Sequence, residues 1–180
     1  HVLVSIIDIT ERKQMEDALR RSEEHYRTIF ETTGTAIIII EEDMTISLAN
    51  DQCEALTGYP TSEIEGHMRW PEFVAAQDVQ RMKQYHRQRR EAPGAAPSHY
   101  EFHLVDKQGH THNVYASIAM IPGGKKSLMS ILDITDRVRA EEALEKRAAQ
   151  LGLINAISAE IAAVLDLDQL LERAASLIQE

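Results

Sequence analysis

Apolar residues change their spacing several times along the chain, and each change marks a predicted element. From Thr10 they recur in steps of four and three, which is the heptad repeat of a helix that pairs with another helix. The repeat positions are Met15, Leu19, Ser22, Tyr26, Ile29 and Thr33. The segment 32–35, which contains a glycine, ends this helix. A single amphipathic helix folded onto a sheet is the alternative interpretation.

Strand-like spacing follows. Residues 36–40 form an aliphatic run and residues 44–49 alternate between apolar and polar, which predicts a β-hairpin. A second hairpin is predicted over 99–105 and 110–121, with a three-residue loop that ends at Gly109. That loop pairs Leu104 with His112 and Phe102 with Val114. The register places the large apolar residues of both strands on one face.

Helical signals lie between the two hairpins. Asn50 is a good N-cap for a short helix over 51–57, and a longer helix is predicted over 77–90. With a last strand at 127–132, the elements predict an α+β fold: a five-stranded antiparallel sheet with helices on one face. The run 36–40 is apolar on both sides, so the outer face of the sheet also needs a cover. The preceding helix is the candidate for it.

One stretch of the chain occurs twice. Ser5–Arg12 reads SIIDITER and Ser130–Arg137 reads SILDITDR, each at the point where a strand meets a helix. We call the second copy the signal joint. The spacing of Asp133 and Asp136 suits reciprocal capping of the following helix, and Thr135 offers a second cap, so the capping residue stays open.

After the joint the apolar steps of three and four resume. The positions are Leu144, Ala148, Leu151, Ile154, Ile157, Ile161 and Val164. Residues 166–168 are predicted to interrupt this helix before a further helical segment at 170–178. At the other end, Val2 to Ile7 resembles the tail of a strand without its sheet, and we expect it to be disordered or to pair with another molecule.

Charge and composition limit the classes of partner and compartment that the chain fits. The 29 acidic and 19 basic residues give a net charge of −10, which argues against nucleic acid and anionic membranes as partners. One cysteine excludes an internal disulfide and suits a reducing, cytoplasmic compartment. No apolar run approaches the ~20 residues that span a membrane. Because the chain opens with His1 inside an apolar run, we expect it to be a piece of a longer protein.

Together these features resemble a PAS domain with its C-terminal PAC motif. The resemblance is carried by the strand pair 36–49, the capped Asn50 with Leu56–Tyr59 (LTGY), Glu63–Gly66 (EIEG), the turn at Lys107–Gly109 (KQG) and the joint. It covers about residues 22 to 137. Residues 153–180 resemble the opening helices of a GAF domain.

The resemblance implies a division of the chain. Residues 1–10 are the tail of an upstream PAS domain, 11–33 a linker helix and 34–135 the PAS core. Residues 136–152 are a coiled-coil signalling helix, and 153–180 are the first helices of a truncated GAF-like domain. A homodimer through the flanking helices is expected, with Met15, Leu19, Tyr26, Ile29, Leu144 and Leu151 in contact.

The resemblance also implies a sensory module in a multidomain protein, most often a histidine kinase and sometimes a cyclic-di-GMP enzyme. No catalytic set of residues appears in this chain. A small apolar ligand would lie between the inner sheet face and the helices; the same side chains would simply fill a core in a ligandless spacer. The candidate pocket and polar contacts are Ile38, Ile40, Trp70, Phe73, Tyr100, Phe102, Leu104, His112, Val114, Ala116, Ile118, Ser127, Met129 and Ile131.

The cofactor is not identified by the sequence. Cys53 does not lie where a flavin photosensor needs its reactive cysteine, and Ile131 stands where such sensors have glutamine. Haem would need an axial histidine, and His86 is on the right helix, but basic neighbours favour a solvated face. His99, His103, His110 and His112 share one hairpin, yet the register separates the first two from His112, and no further ligands complete a metal site.

Overall fold

The computed structural model describes the backbone of residues 10–92 and 94–178 and the side chains of residues 12–92 and 94–159. The predicted tail strand at Val2 to Ile7 lies outside the described residues. The chain divides into two units, one that ends at Thr135 and one that begins at Asp136.

Five antiparallel strands form the sheet of the first unit. They are β1 (Ala36–Ile40), β2 (Ile46–Ala49), β3 (His99–Val105), β4 (Thr111–Met120) and β5 (Ser127–Asp133). Their order is β2-β1-β5-β4-β3, so the chain's last strand lies at the centre of the sheet. In β1 the side chains of Ala36, Ile38 and Ile40 are buried and the two between them are half-buried, as strand alternation requires. The predicted α+β sheet is confirmed.

The β3–β4 hairpin has the predicted register. Leu104 lies opposite His112 and Phe102 opposite Val114. Gly109 has a φ of +87°, which is the left-handed conformation that the three-residue loop requires. The inner face of this hairpin therefore carries the apolar residues of both strands.

The helices between β2 and β3 cover the inner face. They are α2 (Asp51–Thr57), α3 (Thr61–Ile64), a 3₁₀ turn at Trp70–Phe73, and α4 (Ala76–Glu91). Helix α4 turns Asp78, Met82 and His86 inward, because residues four apart share one helix face. Two of these three residues are polar, so an apolar pattern alone does not reveal the buried face.

Asn50 holds three elements together. It occupies the predicted N-cap position of α2, but its side chain makes no capping bond. Its Nδ2 donates to the carbonyls of Phe30 and Thr35, and its Oδ1 accepts from the Ile37 N–H at 2.8 Å. Asn50 is fully buried. The cap prediction is therefore right about position and wrong about the bond, because the backbone around β1 offers nearer partners.

Helix α1 (Thr10–Thr32) does not cover the outer sheet face as predicted. Its residues Tyr26 and Ile29 are 69% and 49% exposed, and Leu48 on the outer face of β2 is 39% exposed. A groove of about 610 Å³ lies between the end of α1 and this face. The alternative of a helix folded onto its own sheet is wrong for the same reason.

Helix α5 spans Thr135–Ile178, and its residues from Asp136 onward belong to the second unit. It runs through residues 166–168, where the sequence predicted an interruption. That prediction is wrong because Asp166, Leu167 and Asp168 include neither proline nor glycine, and the apolar steps continue through them. Leu144 and Leu151 on this helix are 66% and 61% exposed.

Candidate functional site

The sheet and the helices enclose a cavity of about 30 Å³, which we call the apolar cavity. Apart from Thr57 and the indole N–H of Trp70, its lining side chains are apolar. A cavity of ~150 Å³ accommodates benzene in another protein. In this conformation the apolar cavity is therefore too small for a flavin, a haem or an organic ligand of several carbons.

A second space of about 10 Å³ lies beside it, and we call this the polar cavity. Four of its nine lining residues are apolar: Ile40, Met82, Ile118 and Met129. The other five carry polar groups: Trp70, His86, Arg89, Tyr100 and Ser127. Trp70, Met82 and Met129 line both cavities and form the wall between them.

Trp70 is the one described residue whose buried side-chain polar atom has no hydrogen-bond partner. Its indole Nε1 lacks an acceptor, and the residue is only 4% exposed. Buried donors are nearly always paired, and an unpaired one costs about 1–3 kcal/mol. Trp70 lies in the wall between the two cavities, so an acceptor that reached its N–H would remove this cost.

His86 is buried, not solvated as the sequence favoured. It is 5% exposed, and its Nε2 donates to the Glu42 carbonyl at 3.0 Å. Burial lowers the pKa of His86 below its ordinary value, although the Glu42 bond opposes this, and Arg90 and Arg89 lower it further. The ring is therefore neutral at pH 7. Of the charged residues that indicated a solvated face, Arg81 and Arg87 are exposed, whereas Arg89 lines the polar cavity beside His86.

Cys53 lines the apolar cavity. It is 2% exposed, and its Sγ lies 3.6 Å from the Ile37 carbonyl oxygen. Desolvation raises the pKa of the thiol to about 12. A protonated thiol is a poor nucleophile. Cys53 thus packs against the core, as the sequence indicated, and does not fit the reactive cysteine of a flavin photosensor.

The structure brings most of the predicted pocket residues together, divided between the two cavities. The apolar cavity has Ile38, Trp70, Phe73, Phe102, Leu104, Met129 and Ile131. The polar cavity has Ile40, Tyr100, Ile118 and Ser127, besides the shared Trp70 and Met129. Val114 and Ala116 are fully buried on the inner face but line neither cavity.

Several lining residues were missed by the sequence reasoning. Helix α4 contributes Met82, His86 and Arg89, and α2 and α3 contribute Leu56, Thr57 and Ile64. The spacing of Asp78, Met82 and His86, each four residues from the next, is the signal that could have found the α4 face. It was obscured because polar side chains occupy two of the three positions.

His112 lines neither of these two cavities; it borders a more open space of about 230 Å³, which Ile131 and Asp133 also line. Its Nδ1 lies 3.1 Å from Asp133 Oδ2, and its Nε2 lies 3.4 Å from Asp106 Oδ2. A neutral imidazole has a single N–H, so both contacts are hydrogen bonds at once only when the ring is protonated. His112 therefore links the β3–β4 turn to the signal joint.

Of the other hairpin histidines, His110 shares Asp106 with His112, whereas His103 and His99 have partners of their own. His110 Nδ1 contacts Asp106, His103 Nδ1 lies 2.8 Å from Asp78 Oδ2, and His99 contacts Ser98. Within the described residues, no three histidine, cysteine or acidic side chains form a group that could hold a metal ion.

The signal joint attaches the start of α5 to β4. Asp133 Oδ1 accepts from the Thr135 N–H at 2.8 Å, and Thr135 Oγ1 accepts from the Asn113 N–H at 2.9 Å. The Ile134 N–H also donates to the Asn113 carbonyl. Asp136 instead lies 3.8 Å from Arg139 and is fully exposed. Reciprocal capping by the two aspartates is wrong, because Asp133 bonds the nearer Thr135 amide.

A five-stranded antiparallel sheet has helices inserted between β2 and β3, and cavities lie between the two layers, so the fold class is α+β. Residues 46–132 match a family model described as the PAS fold. Residues 46–132 therefore have the PAS fold. A PAS domain is a sensory, non-catalytic module typical of signalling proteins.

Solved structures agree with this fold. The PAS domain of an HTR-like protein from Haloarcula marismortui is 24% identical, with a TM-score of 0.54 over 68% of this chain and 99% of that one. A domain of a sensory box sensor histidine kinase/response regulator from Geobacter sulfurreducens is 20% identical, with a TM-score of 0.55 over 64% and 96%.

A third structure is the PAS domain of the RpfR quorum-sensing receptor from Cronobacter turicensis, in complex with C12:0. It is 16% identical, with a TM-score of 0.50 over 57% of this chain and 96% of that one. At these identities the three likenesses establish the fold alone. No helix among the described residues is long and apolar enough to cross a membrane.

Proposed function

We propose that the PAS domain of this chain binds a small ligand between its sheet and helices and relays the bound state through the signal joint to helix α5. The relay operates within a homodimer that pairs through α1 and α5. The parent is a multidomain cytoplasmic signalling protein whose catalytic domain lies outside this chain. The Geobacter neighbour, from a sensor histidine kinase, supports a kinase as parent. The PAC motif and the GAF-like segment at 153–180 belong to the same proposal.

The observation that carries the proposal is the course of β5. Met129 and Ile131 line the apolar cavity, and Asp133, two residues further along the same strand, bonds the first residue of α5. The backbone of β5 is extended and paired with β1 and β4, and no loop separates its cavity-lining residues from the joint. A ligand that moves Met129 or Ile131 therefore acts on the joint directly.

Such a relay needs two states of the joint. A ligand shifts their populations only as far as its affinities for the two states differ. The bonds from Ile134 and Thr135 to Asn113 define one state, in which the start of α5 is attached to β4. The second state has these bonds broken or shifted along the strand.

A ligandless spacer that sets the pairing of flanking helices is the second candidate. The small volume of the apolar cavity, about 30 Å³, favours it. The sensor hypothesis requires the cavity to enlarge on binding. The C12:0 complex of the Cronobacter domain supports the view that this fold can accommodate a ligand.

Native mass spectrometry of the freshly purified chain separates the two candidates. The sensor predicts an additional small-molecule mass that is lost after denaturation and refolding. Ile131→Phe should fill the cavity and abolish the additional mass. The matched control is Leu132→Phe, because Leu132 is 45% exposed on the opposite side of β5. Bare protein in every preparation, with no gain on incubation with small-molecule mixtures, would favour the spacer.

A further inference from the structure

The polar cavity is rich in hydrogen-bond donors. Trp70 contributes an N–H without an acceptor. Tyr100 is hydrogen-bonded to Arg89, and Ser127 Oγ accepts from Arg90 Nη2 at 3.3 Å. An arginine only donates hydrogen bonds, so the hydroxyl oxygens of Tyr100 and Ser127 are the acceptors in these two bonds. Their own O–H groups are therefore available to donate to another group.

Positive charge reinforces this donor character. Arg89 lines the polar cavity, and Arg90 reaches its rim through Ser127. The Arg90 guanidinium also donates to the carbonyls of Glu41, His86 and Lys125, which hold it in place. The fifth polar lining residue, His86, uses its Nε2–H on the Glu42 carbonyl and adds no charge when neutral. None of the residues that line this cavity is acidic.

The wall between the two cavities is adaptable. Met82 and Met129 line both sides of it, and methionine side chains change conformation at little cost because they are unbranched. If these two side chains move and the sheet and helices separate further, the cavities of about 30 and 10 Å³ merge and enlarge into one elongated site. One end of that site is apolar and has Cys53 and Phe73 among its lining residues. The hydrogen-bond donors lie at the other end.

We infer that the ligand of this site is an amphipathic carboxylic acid. Its hydrocarbon tail occupies the apolar cavity, and its carboxylate accepts hydrogen bonds from Trp70, Tyr100 and Arg89 in the polar cavity. The inference rests on the proposed sensory function and adds the chemical class of the ligand. Because Met129 lies on β5, displacing it to open the wall is also the movement that reaches the signal joint.

The test uses octanoate and 1-octanol at pH 7.5 as probes of equal chain length. Trp70 is the chain's single tryptophan, so its fluorescence reports directly on this site. We expect octanoate to change the emission saturably and to bind roughly tenfold more tightly than octanol, as one charge-assisted hydrogen bond gives. Arg89→Gln should remove that preference. Arg87→Gln, on the exposed side of the same helix, is the matched control and should keep it.

Two further variants test the inference independently of Arg89→Gln. Arg89 also donates to the Pro97 carbonyl, so Arg89→Gln could disturb the fold. Tyr100→Phe removes one hydrogen-bond donor from the cavity and leaves the bond between Arg89 and Pro97 in place. This variant should reduce the preference for octanoate. Trp70→Phe, read by calorimetry, should weaken octanoate more than octanol. Equal or tighter binding of octanol would overturn the carboxylic-acid inference but would not contradict the proposed ligand-sensing function. Binding of neither probe would overturn the inference and favour the spacer.

Discussion

The carboxylate of Asp133 divides its two oxygens between α5 and β4. Oδ1 accepts from the Thr135 N–H, and Oδ2 contacts His112 Nδ1. We predict that Asp133→Ala frays the first turn of α5 and costs ~1 kcal/mol of unfolding free energy, because the helix start loses its acceptor. Hydrogen exchange of the amides at residues 135–138 measures the fraying, and urea unfolding measures the cost.

Asp136→Ala is the matched control for this prediction. Asp136 is fully exposed and lies 3.8 Å from Arg139. We expect it to leave exchange at the joint nearly unchanged. In a full-length parent, Asp133→Ala should uncouple ligand binding from output before it unfolds the domain; intact coupling would contradict the relay.

Asp106 makes the hairpin sensitive to acid. Partial desolvation acts to raise its pKa, but hydrogen bonds from His110 and His112 outweigh this and lower the pKa from 3.8 to about 2. The folded state therefore favours the ionised carboxylate. Its contribution to stability is complete above pH 3.8 and is lost as the pH falls toward 2.

Substitution tests this pH dependence. Asp106→Asn should reduce the loss of stability between pH 5 and pH 2, measured as the shift in urea midpoint. Asp17→Asn on the exposed face of α1 serves as the control and should retain the wild-type acid profile. If the Asp106 variant keeps the wild-type profile as well, the hydrogen bonds of Asp106 do not stabilise the fold.

At the level of elements, Asn50 connects the end of α1, the start of β1 and the start of α2. We predict that Asn50→Ala costs about 3 kcal/mol, because it leaves the Ile37 N–H and the Phe30 and Thr35 carbonyls without their buried partner. The free energy of unfolding from urea titration measures this loss. Gln52→Ala, two residues further along the chain on α2, should cost under 1 kcal/mol. Equal losses would mean that the network of Asn50 adds nothing specific.

The two hairpin strands and helix α4 differ in how far local sequence specifies them. The β3–β4 register follows from loop length, Gly109 and strand alternation, all of which lie within a short segment. The buried face of α4 does not follow from local pattern, because Asp78 and His86 are polar. They are buried only because partners from distant segments reach them, such as the Glu42 carbonyl for His86.

For the whole molecule, the exposed heptad positions of α1 predict pairing with a second copy. Met15, Leu19 and Tyr26 are each more than 60% exposed, on a helix that leaves the outer sheet face open. We expect Leu19→Glu to weaken dimerisation at least tenfold, because burying a leucine contributes about 1.5–3 kcal/mol. Size-exclusion chromatography with light scattering measures the mass as the protein is diluted.

Arg21→Glu is the control, because it places the same side chain on α1 outside the heptad positions and should leave the dimer intact. Leu151→Glu tests the α5 contribution in the same way. A wild-type chain that runs with the mass of one copy at all concentrations would contradict the homodimer. Equal loss in both α1 variants would indicate a general effect of charge.

The sequence alone was sufficient for the strands, their faces, the β3–β4 pairing, the extent of α1 and the PAS resemblance. Each of these rests on periodicity or turn chemistry within a few residues, where steric and hydrogen-bonding rules act locally. Only the tertiary structure decided that the pocket is two small cavities, that Trp70 lacks an acceptor, that His86 is buried and that His112 serves the joint. These features depend on groups far apart in the chain meeting at hydrogen-bond distance, and no local pattern encodes that meeting.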